Sequence, residues 1–140
     1  MRILLIEDNP ADILLAREAL KEIGFNGQLL VETDGLSALK YLDQLATNGG
    51  LFPDLILLDL NLPKVDGLEV LKMIKESSEL QSIPTVVLST SDDSMDMKKS
   101  RKLNANNYLV KPLDFAEFID MLRGTLTHWD SDQGRSQRVA

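Results

Sequence analysis

Short, largely apolar runs alternate along this chain with longer stretches in which apolar residues recur every three or four positions. The runs cover residues 3–6, 29–31, 55–58, 85–88 and 108–110. Apolarity without a strict polar alternation marks strands covered on both faces. Between the runs, Ile13, Ala16, Leu20 and Ile23 form one helical stripe, and Leu36, Leu39 and Leu42 a second. Leu68, Leu71 and Ile74 form a third, and Phe115, Phe118, Ile119 and Leu122 the last. Residues 93–105 carry Met95, Met97 and Leu103 but are otherwise polar, which predicts a fourth helix with little apolar face.

Helix starts are marked by their own chemistry. Asn9 stands before Pro10, a cap followed by a residue suited to the first helical position. Asp66 with Glu69, and Asp114 with Glu117, have the spacing of a capping box with Asp in place of Ser or Thr. Gly24 is a stop for the first helix. Five strands alternating with five helices predict an α/β fold with a parallel sheet, right-handed crossovers and helices on both faces. No internal repeat or low-complexity block interrupts the pattern. Residues 131–140 are polar, with Gly134 and no apolar stripe, and are expected to be a frayed tail.

Composition narrows the function. The 140 residues fit one domain, and 44% hydrophobic with 26% charged residues excludes wholesale disorder. With no cysteine, thiolate metal sites and disulfides are impossible. Fifteen Lys and Arg against 22 Asp and Glu leave a net charge of −7, which argues against direct nucleic-acid binding. No apolar run exceeds four residues, far short of the ~20 needed to span a bilayer. A cytoplasmic protein with no membrane partner is expected.

In an open parallel sheet, ligands bind beyond the carboxyl ends of the strands. Glu7 and Asp8 follow the first run, and Asp59 follows the third, with Asn61 close behind. Ser89, Thr90 and Ser91 close the fourth run, and Lys111 and Pro112 follow the fifth. The second run leads to Glu32 and Thr33, which are expected to lie off the site. Each position alone reads as a solvated turn; together they bring acid, acid, hydroxyl and amine to one edge. Two carboxylates 4 Å apart repel by about 4 kcal/mol at an effective dielectric of 20, a cost usually accepted to hold a cation. All-oxygen ligands suit Mg²⁺, Mn²⁺ or Ca²⁺. A lysine and a hydroxyl opposite a divalent cation describe a phosphoryl site, and a central carboxylate can be its nucleophile.

Glu7-Asp8, the run from Asp54 to Asp59 with Pro63, Asp66 and Gly67, Ser89-Thr90, and Tyr108 with Lys111-Pro112 together resemble receiver domains of two-component response regulators. The resemblance covers residues 1 to about 125. Residues 7–12, the loop 46–53 and residues 87–91 further resemble the stand-alone, phytochrome-associated regulators. It implies a doubly wound (βα)5, flavodoxin-like fold with strand order 2-1-3-4-5, as a receiver domain over residues 1–128 and a tail over 129–140. It also implies that Asp59 accepts a phosphoryl group from a histidine kinase, so the protein signals rather than acting as an enzyme on a substrate. Mg²⁺ would be held by Asp8 and Asp59, by the Asn61 carbonyl and by Glu7 through water. Lys111, Ser89 and Thr90 would contact the phosphoryl group, and the Lys111–Pro112 bond would be cis. The Ser89–Tyr108 pair would be the switch, remodelling the face made by the fourth helix, fifth strand and fifth helix. That face would bind a downstream target, a phosphotransfer protein or a second copy. Asn61 and Ser91 would tune dephosphorylation. Ser89 keeps the hydroxyl of the commoner threonine, and the β-branched Thr90 narrows phosphodonor access.

Other residues have plainer readings. Tyr108 on composition alone is a half-buried strand aromatic. His128 is a surface residue beside Trp129. Lys98, Lys99, Arg101 and Lys102 form a solvated basic face that an acidic helix could meet. Leu126 and Trp129 either form a partner surface or simply lengthen the last helix. A haloacid-dehalogenase-like phosphatase would need an acid where Asn61 stands and Thr where Pro63 stands. A flavodoxin-like FMN carrier would not place Glu7-Asp8 in its phosphate loop. A non-phosphorylated receiver used only for binding would not retain both acids, Asp59, the hydroxyl and Lys111.

Overall fold

The computed structural model describes residues 1–90 and 92–130. Ser91, and residues 131–140 of the expected tail, lie outside the described residues. The elements alternate as β1 (Arg2–Ile6), α1 (Pro10–Ile23), β2 (Gln28–Glu32), α2 (Gly35–Asn48), β3 (Leu55–Leu58), α3 (Gly67–Glu76), β4 (Thr85–Ser89), α4 (Ser94–Lys102), β5 (Asn107–Val110) and α5 (Phe115–Trp129). The strands are parallel in the order β2-β1-β3-β4-β5. This is the doubly wound architecture expected from the alternation of apolar runs.

The period of two along each strand explains why the runs are apolar throughout. Ile3 and Leu5 of β1, with Leu55 and Leu57 of β3, face one layer holding Ala16, Ala19 and Leu20 of α1 and Phe118, Leu122 and Leu126 of α5. Leu4, Ile6, Ile56 and Leu58 face the opposite layer, with Ala38 and Leu42 of α2 and Val70, Leu71 and Ile74 of α3. Trp129 packs onto the α1–α5 layer, so it and Leu126 extend α5 over its own core.

Caps form where the sequence places them. The Asn9 side chain accepts from the Ala11 and Asp12 amides, and Gly24 adopts φ +80° after α1. Asp66 and Asp114 cap α3 and α5, accepting from Leu68 and Ala116 N–H rather than from the Glu amide of a capping box, and Asp93 caps α4. Asp34 caps α2 by accepting from Ser37 N–H, a role the apolar pattern did not announce. The stripes are shifted in two helices. Leu36 is exposed while Ala38 is fully buried on α2, and Phe115 is exposed at the start of α5.

Candidate functional site

Strand ends set the site. β1 delivers Glu7 and Asp8 immediately before the α1 cap, and β3, its neighbour, delivers Asp59. The Asp59 amide donates to the Ile6 carbonyl at 3.0 Å, which locks the two strand exits side by side. One carboxylate oxygen from each of Glu7, Asp8 and Asp59 lies within 4.8 Å of the others. Glu7 is 2% exposed and Asp59 8%, while Asp8 opens to solvent. Asp59 Oδ1 accepts from the Asn61 amide at 3.0 Å, so the following loop folds back on the acid. Gly67, at the start of α3, permits that fold: a Cβ there would meet Asp59 O at 2.6 Å.

Lys111 enters from the end of β5. Its amide donates to Ser89 O at 2.7 Å, tying it to the end of β4. Its ammonium lies 2.5 Å from Glu7 Oε1, 3.2 Å from Asp12 Oδ2 and 3.5 Å from Asp59 Oδ2. Burial alone lowers the Lys111 pKa, but the hydrogen bond to Glu7 and the charges of Asp59 and Glu7 reverse this and raise it. Burial, followed by contact with the Asp59 carboxylate, pushes Glu7 up to about 7, against the lowering effect of Lys111. Glu7 and Lys111 therefore hold their protons at a pH where the isolated side chains would release them.

The remaining predicted residues fall into two groups. Ser89 is fully buried at the end of β4, and Thr90 is exposed beside it. Asn61 is exposed on the loop after Asp59. Tyr108 is half-buried on β5, against the α2–α3 layer, and lines a cleft with Met97, Ser100 and Arg101 of α4. Glu32 is apart from the acid cluster, as expected, although its carbonyl accepts from the Glu7 amide at 3.0 Å. One expectation is corrected: no peptide bond among the described residues is cis, so Lys111–Pro112 is trans. The cis form of an X–Pro bond is only the minor isomer, and a Lys-Pro pair alone does not select it.

Asp12 was missed as a site residue. It sits in the first turn of α1, where an acid reads equally well as helix-dipole chemistry. In three dimensions it reaches Lys111 across the sheet edge. Asp12, Glu7, Thr90 and Lys111 line the polar end of a cavity of about 240 Å³ whose other walls include Leu15, Leu88, Phe115 and Phe118.

The donor set fits a hard divalent cation. Three carboxylates from two adjacent strand ends, one of them exposed, offer oxygen ligands and an open approach. The raised pKa of Glu7 also has a measurable consequence without metal. The folded protein keeps a proton between pH 4.5 and about 7 that the unfolded chain has lost, so its stability falls as pH rises through that window. Urea unfolding of metal-free protein is expected to lose on the order of 2 kcal/mol from pH 5 to pH 8 at this group. Glu7→Gln should flatten that part of the profile, and an unchanged slope would contradict the assignment.

Comparisons with known proteins agree with this geometry. The model of the response regulator receiver domain matches residues 3–123. Response regulator Rcp1 of Synechocystis sp. is 42% identical over 128 residues, covering 91% of this chain and 87% of that protein. The crystal structure of the phosphorylated cyanobacterial phytochrome response regulator RcpA superposes with a TM-score of 0.84 at 42% identity, covering 93% of this chain and 94% of that one. The Mn²⁺-bound form of response regulator Rcp1 gives 0.82 at 41%, covering 94% and 95%. Among the described residues no helix is long and apolar enough to cross a membrane. With its fold, its acidic pocket and its sequence all in agreement, the chain belongs to the response regulator receiver domains of two-component systems.

Proposed function

We propose that this receiver accepts a phosphoryl group on Asp59 from a sensor histidine kinase and signals through phosphorylation-dependent protein binding. One observation carries the reading: a buried carboxylate, Asp59, lies beside two further acids and 3.5 Å from the Lys111 ammonium at the carboxyl edge of the sheet. An Asp59 oxygen attacks phosphorus, the bond from phosphorus to the donor imidazole breaks, and the imidazole leaves with its bonding pair and takes up a proton. Asp8, Asp59 and the Asn61 carbonyl, with Glu7 behind them, would hold Mg²⁺. When bound, the cation neutralises negative charge on the phosphoryl oxygens.

Lys111 donates to one phosphoryl oxygen, and the Ser89 hydroxyl, with Thr90 beside it, donates to another. The phosphoryl group adds a charge of about −1.5 to −2. Movement of Ser89 toward it draws Tyr108 inward from the α4 cleft and changes the α4–β5–α5 face. That face is where a downstream target, a phosphotransfer protein or a second copy would bind. Water attack on the acyl phosphate, tuned by Asn61, resets the protein.

The test is intact-mass spectrometry after incubation with acetyl phosphate, where acetate is the leaving group. One phosphoryl adduct is expected with Mg²⁺ and none after chelation. No adduct, under conditions that modify another receiver, would favour a receiver that works by binding alone.

A further inference from the structure

The Lys111 ammonium has three N–H donors, and three carboxylates already surround it: Glu7 at 2.5 Å, Asp12 at 3.2 Å and Asp59 at 3.5 Å. The contacts to Glu7 and Asp12 are hydrogen bonds, whereas Asp59 is an ion-pair partner only, so closing onto a phosphoryl oxygen carried by Asp59 draws the ammonium away from one of the first two. Glu7 is a poor choice, because its side chain is 3% exposed and water cannot readily take the place of the ammonium there. Asp59 is where the phosphoryl group forms. Asp12 differs from both. Its side chain is 30% exposed, so water can replace the ammonium. It also lies in the first turn of α1, where the helix amides stabilise a negative charge. Finally, it stands outside the Glu7–Asp8–Asp59 cluster.

We propose that Asp12 is a positioning residue that competes for the Lys111 ammonium and yields it when Asp59 is phosphorylated. Its grip sets the fraction of molecules in which Lys111 is available, and so sets the rate of phosphoryl transfer. The pair also links α1 to the end of β5, and both residues line the largely apolar cavity. This inference rests on the phosphoacceptor reading of Asp59.

The test compares wild type, Asp12→Asn and Asp12→Glu for the rate of adduct formation with acetyl phosphate and Mg²⁺, with the Asp12→Asn change repeated in a Lys111→Met background. Asp12→Asn is expected to react about two- to fivefold faster, the range set by a partly exposed ion pair. Asp12→Glu should return toward wild type, and the acceleration should vanish without Lys111. Because Lys111→Met could abolish the reaction, the Lys111 ¹⁵Nζ resonance of the unphosphorylated protein is measured as well, and it should shift in Asp12→Asn. An unchanged or slower rate, an equal acceleration without Lys111, or an unmoved Nζ resonance would each overturn the proposal. If wild type takes the phosphoryl group and Asp12→Asn behaves identically, the positioning role fails alone. If wild type takes none, the phosphoacceptor reading fails and this inference with it.

Discussion

Replacing Lys111 with Met should destabilise the metal-free protein by about 3 kcal/mol at pH 8, the scale for removing one partner of a buried ion pair. The side chain is 11% exposed and stands against three carboxylates, so its loss leaves Glu7 and Asp59 uncompensated where water cannot easily reach them. The loss should shrink at pH 6. Without Lys111 nothing lowers the Glu7 pKa, and that acid can take up a proton instead of remaining charged. A divalent cation should recover more stability in the variant than it adds to wild type. Urea unfolding at both pH values, with and without Mg²⁺, reads all three effects. Equal stability of the two proteins at pH 8 would mean that the acids are not held together by this lysine.

Asp59→Asn should act in the opposite direction. Without metal, Asp59 lies against Glu7 and Asp8, and the Lys111 ammonium is already shared with Glu7 and Asp12. Neutralising it removes a like charge, while the amide oxygen can still accept from Asn61 N–H. A gain of about 1 kcal/mol, or a rise of roughly 3–6 °C in Tm, is expected for the metal-free variant. The cation-induced rise in Tm should be smaller than in wild type, because one anionic ligand is gone. A clear drop in the Tm of the metal-free variant would contradict the repulsion on which the site is built.

The sequence was informative where one physical cause acted alone. Strands buried on both faces must be apolar throughout, so β1 and β3 were visible as unbroken runs. Asn9-Pro10 and Gly24 were visible because few residues perform their backbone roles. The site acids were legible because a parallel sheet sends its strand ends to one edge. Where two causes share a residue type, the reading failed. Asp12 in a first helical turn looks the same whether it serves the helix dipole or a lysine 99 residues away. Leu36, expected on the buried stripe, is exposed, and Ala38, too small to stand out in the apolar pattern, is buried. Lys75 shows a further limit. Its ammonium joins the Gln81 and Ile83 carbonyls to Asn106 below the sheet, a contact that no local pattern encodes.

Borohydride reduction of acetyl-phosphate-treated protein, followed by peptide mapping, tests the central claim most directly. Hydride converts an aspartyl phosphate to homoserine and leaves free carboxylates untouched. The geometry predicts reduction at Asp59 alone, in the presence of Mg²⁺, and none in Asp59→Asn. Reduction at Asp8 or Asp12, or unreduced Asp59 in protein that carries the phosphoryl mass, would contradict the assignment of Asp59 as the acceptor.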